Sequence, residues 1–116
     1  MALERRGSPR VEVALGCRLS RAAGGSSISA RTLDVGPGGM RVATDRPLRV
    51  DEVLDFLLSP ETPSPVVGQA RVMREQTYQV YAMRFERLPA GEEHHLRQLT
   101  DRAQAAPPGA GGRTNL

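Results

Sequence analysis

The chain has 116 residues, 39% hydrophobic and 25% charged, enough for one domain with one modest core and little room for a second layer of function. All 16 basic residues are arginine, against 13 acids and a net charge of +3, so a lysine-bearing phosphate loop is excluded. A single cysteine excludes an internal disulfide, and no leader-like or bilayer-length apolar run is present, so a cytoplasmic protein without a membrane partner is expected.

Charge is unevenly spread: residues 1–50 carry nine arginines against four acids, and residues 51–116 carry seven against nine. An anionic partner meets the first half first. The segment Arg5-Arg6-Gly7-Ser8-Pro9-Arg10 opens the chain, and residues 1–10 are expected to form a flexible arginine loop.

From Val11 to Leu19 apolar Val11, Val13, Leu15, Cys17 and Leu19 alternate with Glu12, Ala14, Gly16 and Arg18, which predicts one strand with one buried face. Cys17 falls on the apolar phase, as a small core residue does. A Gly/Ser-rich loop follows, then a second strand over residues 28–35 ends in the turn Asp34-Val35-Gly36-Pro37-Gly38-Gly39. Further strands are predicted over 39–43, 50–58, 66–74 and 77–86. A loop with Pro60, Pro63 and Pro65 separates the middle pair, and a tight connection near Glu75-Gln76 joins the last two.

Pro89 and the acidic Glu92 and Glu93 mark a helix start, and Leu96, Leu99 and Ala103 recur on one stripe. The fold class is therefore mainly β: a six-stranded antiparallel barrel with a C-terminal α-helix, which leaves few exposed sheet edges. The barrel and helix occupy residues 11–105. Residues 106–116, rich in Pro and Gly, are expected to be a disordered tail.

Catalytic residues and metal ligands are not found. No Ser or Cys nucleophile has a His partner, and the adjacent His94 and His95 point in different directions on a helix. Single-stranded nucleic acid is disfavoured as a partner, because two Phe, two Tyr and no Trp leave almost nothing on which bases could stack. The paired guanidinium groups of Arg6 and Arg10 instead suit a ligand with phosphates and purine edges, through bidentate donation and stacking. Asp34, an acceptor only, matches the N–H donors of guanine. Gly38 and Gly39 would allow close backbone approach and a positive φ.

The Arg-x-x-x-Arg loop, the glycine turn at the end of the second strand, the barrel order and Tyr81-Ala82-Met83-Arg84-Phe85 together resemble a PilZ domain over roughly residues 4–100. The resemblance implies a bacterial receptor for cyclic di-GMP, bound as a ligand with no cofactor, with Arg6, Arg10, Asp34 and Gly39 at the family's motif positions. Arg5, Gly36 and Gly38 complete the implied ligand-binding set. A non-enzymatic effector follows, signalling through an unidentified protein partner, in motility, pilus function or surface behaviour. The motif's serine is replaced by Gly36, which opens an alternative: a degenerate adaptor that binds no nucleotide and acts only through protein contacts.

Overall fold

The computed structural model describes residues 10–22 and 24–105. Seven strands form one sheet: β1 (Val11–Glu12), β2 (Gly16–Arg21), β3 (Ile28–Val35), β4 (Gly39–Thr44), β5 (Val53–Leu58), β6 (Val66–Thr77) and β7 (Val80–Arg87). Among the described residues one helix, α1 (Ala90–Ala105), follows. The strand order is β1-β3-β2-β5-β6-β7-β4, and β3 pairs with β4 to close six antiparallel strands into a barrel. β1 is an extra short strand that pairs with the end of β3, at Asp34 and Val35. The expected mainly β barrel with its terminal helix is thus the fold. Closure hides the edges that a sheet of this size would otherwise expose.

The core is the inward phase of these strands. Leu19, Ile28, Met40, Val42, Leu54, Leu58, Val66 and Val72 are fully buried, each on the apolar side of an alternating strand. Tyr81 is the largest buried side chain, and its hydroxyl accepts a 2.9 Å hydrogen bond from the Leu48 N–H. A buried phenol needs such a partner to avoid a desolvation cost. Phe56 and Phe85 pack with ring centroids 5.3 Å apart. Cys17 is buried, and burial pushes its thiol up to about 12, so it is a packing residue without thiolate character.

Three sequence expectations are corrected. The strand expected to run unbroken over residues 11–19 is two strands. At the break the Thr32 N–H still donates to the Leu15 carbonyl at 3.0 Å, while the Thr32 hydroxyl donates to the Val13 carbonyl at 2.5 Å and accepts from the Leu15 N–H at 2.8 Å. The strand expected from Val50 starts at Val53, because Asp51 takes a left-handed turn conformation with φ 75°. The last hairpin turns at Tyr78-Gln79, not Glu75-Gln76. β6 runs on to Thr77 because extra residues are absorbed as bulges, and Gln79 takes φ 52°.

Helix α1 begins where Pro89 leaves no N–H to pair; its carbonyl accepts from the Glu92 and Glu93 N–H groups at 2.7 and 3.0 Å. Leu96 is buried against the barrel, with Leu88 and Leu99 partly so. The Glu92 carboxylate also accepts the outward Val67 N–H at 3.0 Å, tying the helix start to β6. No helix among the described residues is long and apolar enough to cross a membrane.

Candidate ligand-binding face

The site is created by a bulge. On the β3–β4 ladder Thr32 lies opposite Val42, but Asp34 lies opposite Arg41, so two steps along β3 match one along β4. Val42 faces the core and is fully buried, and Thr32 shares that face. Without the extra residue Asp34 would also point inward, because side chains two apart share a face. Leu33 is the inserted residue, 40% exposed, and the insertion turns Asp34 onto the outer face beside Arg41.

There Asp34 is gripped from two sides. Arg10 donates to its Oδ1 through Nη2 at 2.6 Å and Nε at 3.2 Å. Arg41 donates from Nε to Oδ2 at 2.7 Å, and its Nη1 reaches Gln76 Oε1 on β6 at 3.3 Å. The Asp34 side chain is only 9% exposed, whereas Arg10 and Arg41 are 46% and 38% exposed. Burial pushes the Asp34 carboxyl up. The hydrogen bonds and charges of Arg10 and Arg41 outweigh that, holding it below the ordinary aspartate value.

The cluster has a net single positive charge. Each guanidinium spends two of its five donors inside the cluster and keeps the rest for an external acceptor. Asp34 therefore stands as the hub that aims two arginines outward, with both carboxylate oxygens already engaged.

The glycine turn is next to this hub. Gly36 N–H donates to the Gly39 carbonyl, and the Phe85 N–H of β7 donates to the Gly38 carbonyl, each at 2.9 Å. Gly39 is required by packing: a Cβ there would lie 2.1 Å from the Met83 carbonyl oxygen. Gly38 faces open space, with nothing within 4 Å of a Cβ position. The expected positive φ at Gly38 and Gly39 is not found; among the described residues the left-handed glycines are Gly24 and Gly25. Here the turn uses glycine for close strand approach and not for handedness.

Of the sequence-derived site residues, Arg10, Asp34, Gly36, Gly38 and Gly39 are thus brought to one end of β3 and β4. Arg5 and Arg6 lie outside the described residues, as does the tail over 106–116. Arg41 and Gln76 were missed. The signal for Arg41 was present: Met40 and Val42 flank it on the core phase, which points it outward across the turn from Asp34.

A groove of about 370 Å³ lies on the opposite side of the same turn, bounded by Val11, Val35, Gly36, Pro37 and Leu96. Its rim carries Glu93 and Asp101 against Arg97. That balance suits a phosphodiester less than the arginine-rich side does. Among the described residues no cluster of three or more His, Cys, Asp or Glu side chains forms a metal site.

The architecture is an antiparallel six-stranded barrel with a terminal helix and an arginine-gripped aspartate before a glycine turn. Residues 4–102 match the family model described as the PilZ domain, and the chain belongs to that family. Solved structures agree in fold. The PilZ domain of YcgR from Escherichia coli, determined with c-di-GMP, has a TM-score of 0.70 at 15% identity, over 86% of this chain and 92% of that one. The PilZ domain of CeSA from a cellulose-synthesizing bacterium has a TM-score of 0.66 at 15% identity, over 84% and 99%. The Bacillus subtilis inhibitor of motility MotI/DgrA has a TM-score of 0.66 at 20% identity. That match covers 86% of this chain and 51% of that one, so the chain spans about half its length. At these identities the likeness shows the fold alone. Comparison with curated proteins gives no match.

Proposed function

We propose that this protein is a cytoplasmic cyclic di-GMP receptor that acts without catalysis, by binding the dinucleotide and then a protein partner. The observation that carries the reading is the Arg10–Asp34–Arg41 cluster, in which a nearly buried carboxylate holds two half-exposed guanidinium groups beside the glycine turn. A phosphodiester or a guanine Hoogsteen edge accepts the donors these groups keep. Arg5 and Arg6 belong to the same proposed site by motif position, upstream of Arg10. The structure solved with c-di-GMP supports the ligand class, and the inhibitor of motility supports an output in motility or a related surface behaviour.

Because Arg10 is already bonded to Asp34, nucleotide capture is an exchange of acceptors. Arg41 stays on Asp34 while Arg10 turns to the ligand, so the carboxylate is never left without a donor. The test is calorimetric titration of the full chain with cyclic di-GMP at near-physiological salt. Wild type is expected to bind and Arg10→Ala to lose at least tenfold in affinity, the scale of one charge-assisted hydrogen bond. Equal affinity in the two proteins would move the site elsewhere.

A second reading has one observation in its favour. Gly36 is buried and brings no hydroxyl to the turn, which fits an adaptor that works through protein contacts without nucleotide. An inert wild type together with binding by Gly36→Ser would establish it.

A further inference from the structure

The row that contains Asp34 and Arg41 does not stop at β4. Arg41 lies opposite Ala82 on β7, and Ala82 lies opposite Arg74 on β6. Arg74 reaches this row through a second bulge. Val72 faces the core opposite Met83, and the next matched pair is Arg74 with Ala82, with Met73 as the inserted residue. Thus the two strands flanking the β4–β7 pair each carry one extra residue at the same level. Each insertion turns a charged side chain onto the outer face, Asp34 on one side and Arg74 on the other. The inserted residues Leu33 and Met73 are both exposed, at 40% and 39%.

Arg74 differs from its neighbours in its partners. Arg41 is paired with Asp34, and Arg71 and Arg84 share Glu86; Arg74 forms no ion pair among the described residues and is exposed. Two strand spacings, about 10 Å, separate the Arg41 and Arg74 backbones. The single methyl of Ala82 stands between them, and arginine arms converge readily over such a gap. A solvated arginine would be the ordinary fate of an exposed charge. The aligned bulges argue otherwise, since an insertion that disrupts the ladder re-aims a side chain as a built feature.

We infer that Arg41 and Arg74 form an anion-binding site over Ala82, suited to a phosphate group. If the nucleotide reading holds, this site extends the ligand face from the Arg10–Asp34 end across β7 to β6, and takes a phosphate of the same dinucleotide or of a second one. The exposed Met73 thioether beside Arg74 offers a polarizable surface to a base.

The test uses the full chain, two probes and two variants. Backbone amide shifts are followed by NMR during titration with pyrophosphate and, separately, with cyclic di-GMP; affinities come from calorimetry. Both probes are expected to shift Arg41, Ala82 and Arg74. Arg74→Ala is expected to bind cyclic di-GMP about tenfold more weakly and with a flatter salt dependence. Arg87→Ala, an exposed charge outside the row, is expected to bind as wild type.

Pyrophosphate shifts confined to the row, with no response to cyclic di-GMP, would uphold the anion site and sink the nucleotide reading. Cyclic di-GMP binding that needs Arg10 and ignores Arg74 would do the reverse. Shifts spread evenly over all arginines, or equal losses in the Arg74 and Arg87 variants, would reduce the site to general charge and overturn it.

Discussion

Two carboxylates on this barrel are each held by two arginines, and they are not equivalent. Asp34 bonds Arg10 and Arg41 with a side chain 9% exposed; Glu86 bonds Arg71 and Arg84 with a side chain 26% exposed. Around Asp34 the cost of burial competes with the guanidinium donors. Around Glu86 the hydrogen bonds from Arg71 and then Arg84 dominate, bringing its carboxyl down to about 2, with water at hand to replace either partner. The same kind of grouping therefore yields a largely buried hub in one place and a solvated surface cluster in the other. Only the hub transmits the loss of one member to the rest.

The largest expected effect comes from removing both donors of the hub. Arg10→Ala/Arg41→Ala leaves a nearly buried carboxylate without partners, which costs about 3 kcal/mol at neutral pH in denaturant unfolding. Burial then stands unopposed, so the Asp34 carboxyl rises above its ordinary value. With its folded value raised, the penalty is full at neutral pH and eases as acid protonates the group. A variant as stable as wild type at pH 7 would show that Asp34 is solvated in solution.

Smaller is the effect of removing the hub itself. Asp34→Ala costs about 1–2 kcal/mol, because the two half-exposed arginines it releases are rehydrated. Nucleotide affinity is expected to fall more than stability does, since Arg10 loses its aim. The two readouts separate a positioning role from a merely structural one.

How much of this was legible in the sequence follows the same division. The inward face was: Met40 and Val42, Leu54, Phe56 and Leu58, and the helix stripe at Leu96 are buried on the phases their alternation indicates. Arg10 and Asp34 were both legible as candidate site residues, and hydrogen bonds join them in the fold. The partnership of Asp34 with Arg41, and the row on to Arg74, was not. A bulge is one residue too many relative to a neighbouring strand, and neither Leu33 nor Met73 differs in type from an ordinary strand residue. Two insertions on β6, between Val72 and Arg74 and between Glu75 and Thr77, precede a hairpin tip at Tyr78-Gln79 in place of Glu75-Gln76, where no glycine or asparagine marks the turn.

Acid distinguishes the hub from the solvated cluster by titration. The folded Asp34 carboxyl lies below its ordinary value of 3.8, so its contribution is complete above that value and is lost as pH falls through the depressed one. Carboxyl carbon shifts read this directly. Arg41→Ala removes one of the two donors opposing burial, and the Asp34 midpoint is expected to rise; no movement would mean that Arg10 alone sets it.

The smallest expected effect is at Glu86, and it completes the contrast. Its folded value of about 2 against an ordinary 4.5 places the loss of its pairing between about pH 4.5 and 2 on acidification. Exposure makes that pairing sensitive to ions, since at 1 M salt the screening length is about 3 Å. High salt is therefore expected to raise the Glu86 midpoint while leaving Asp34, whose side chain is less exposed, closer to its low-salt value. Glu86→Gln should leave the unfolding midpoint within error at that salt. If the two carboxyls respond to salt alike, burial is not what separates them, and the hub role assigned to Asp34 loses its physical basis.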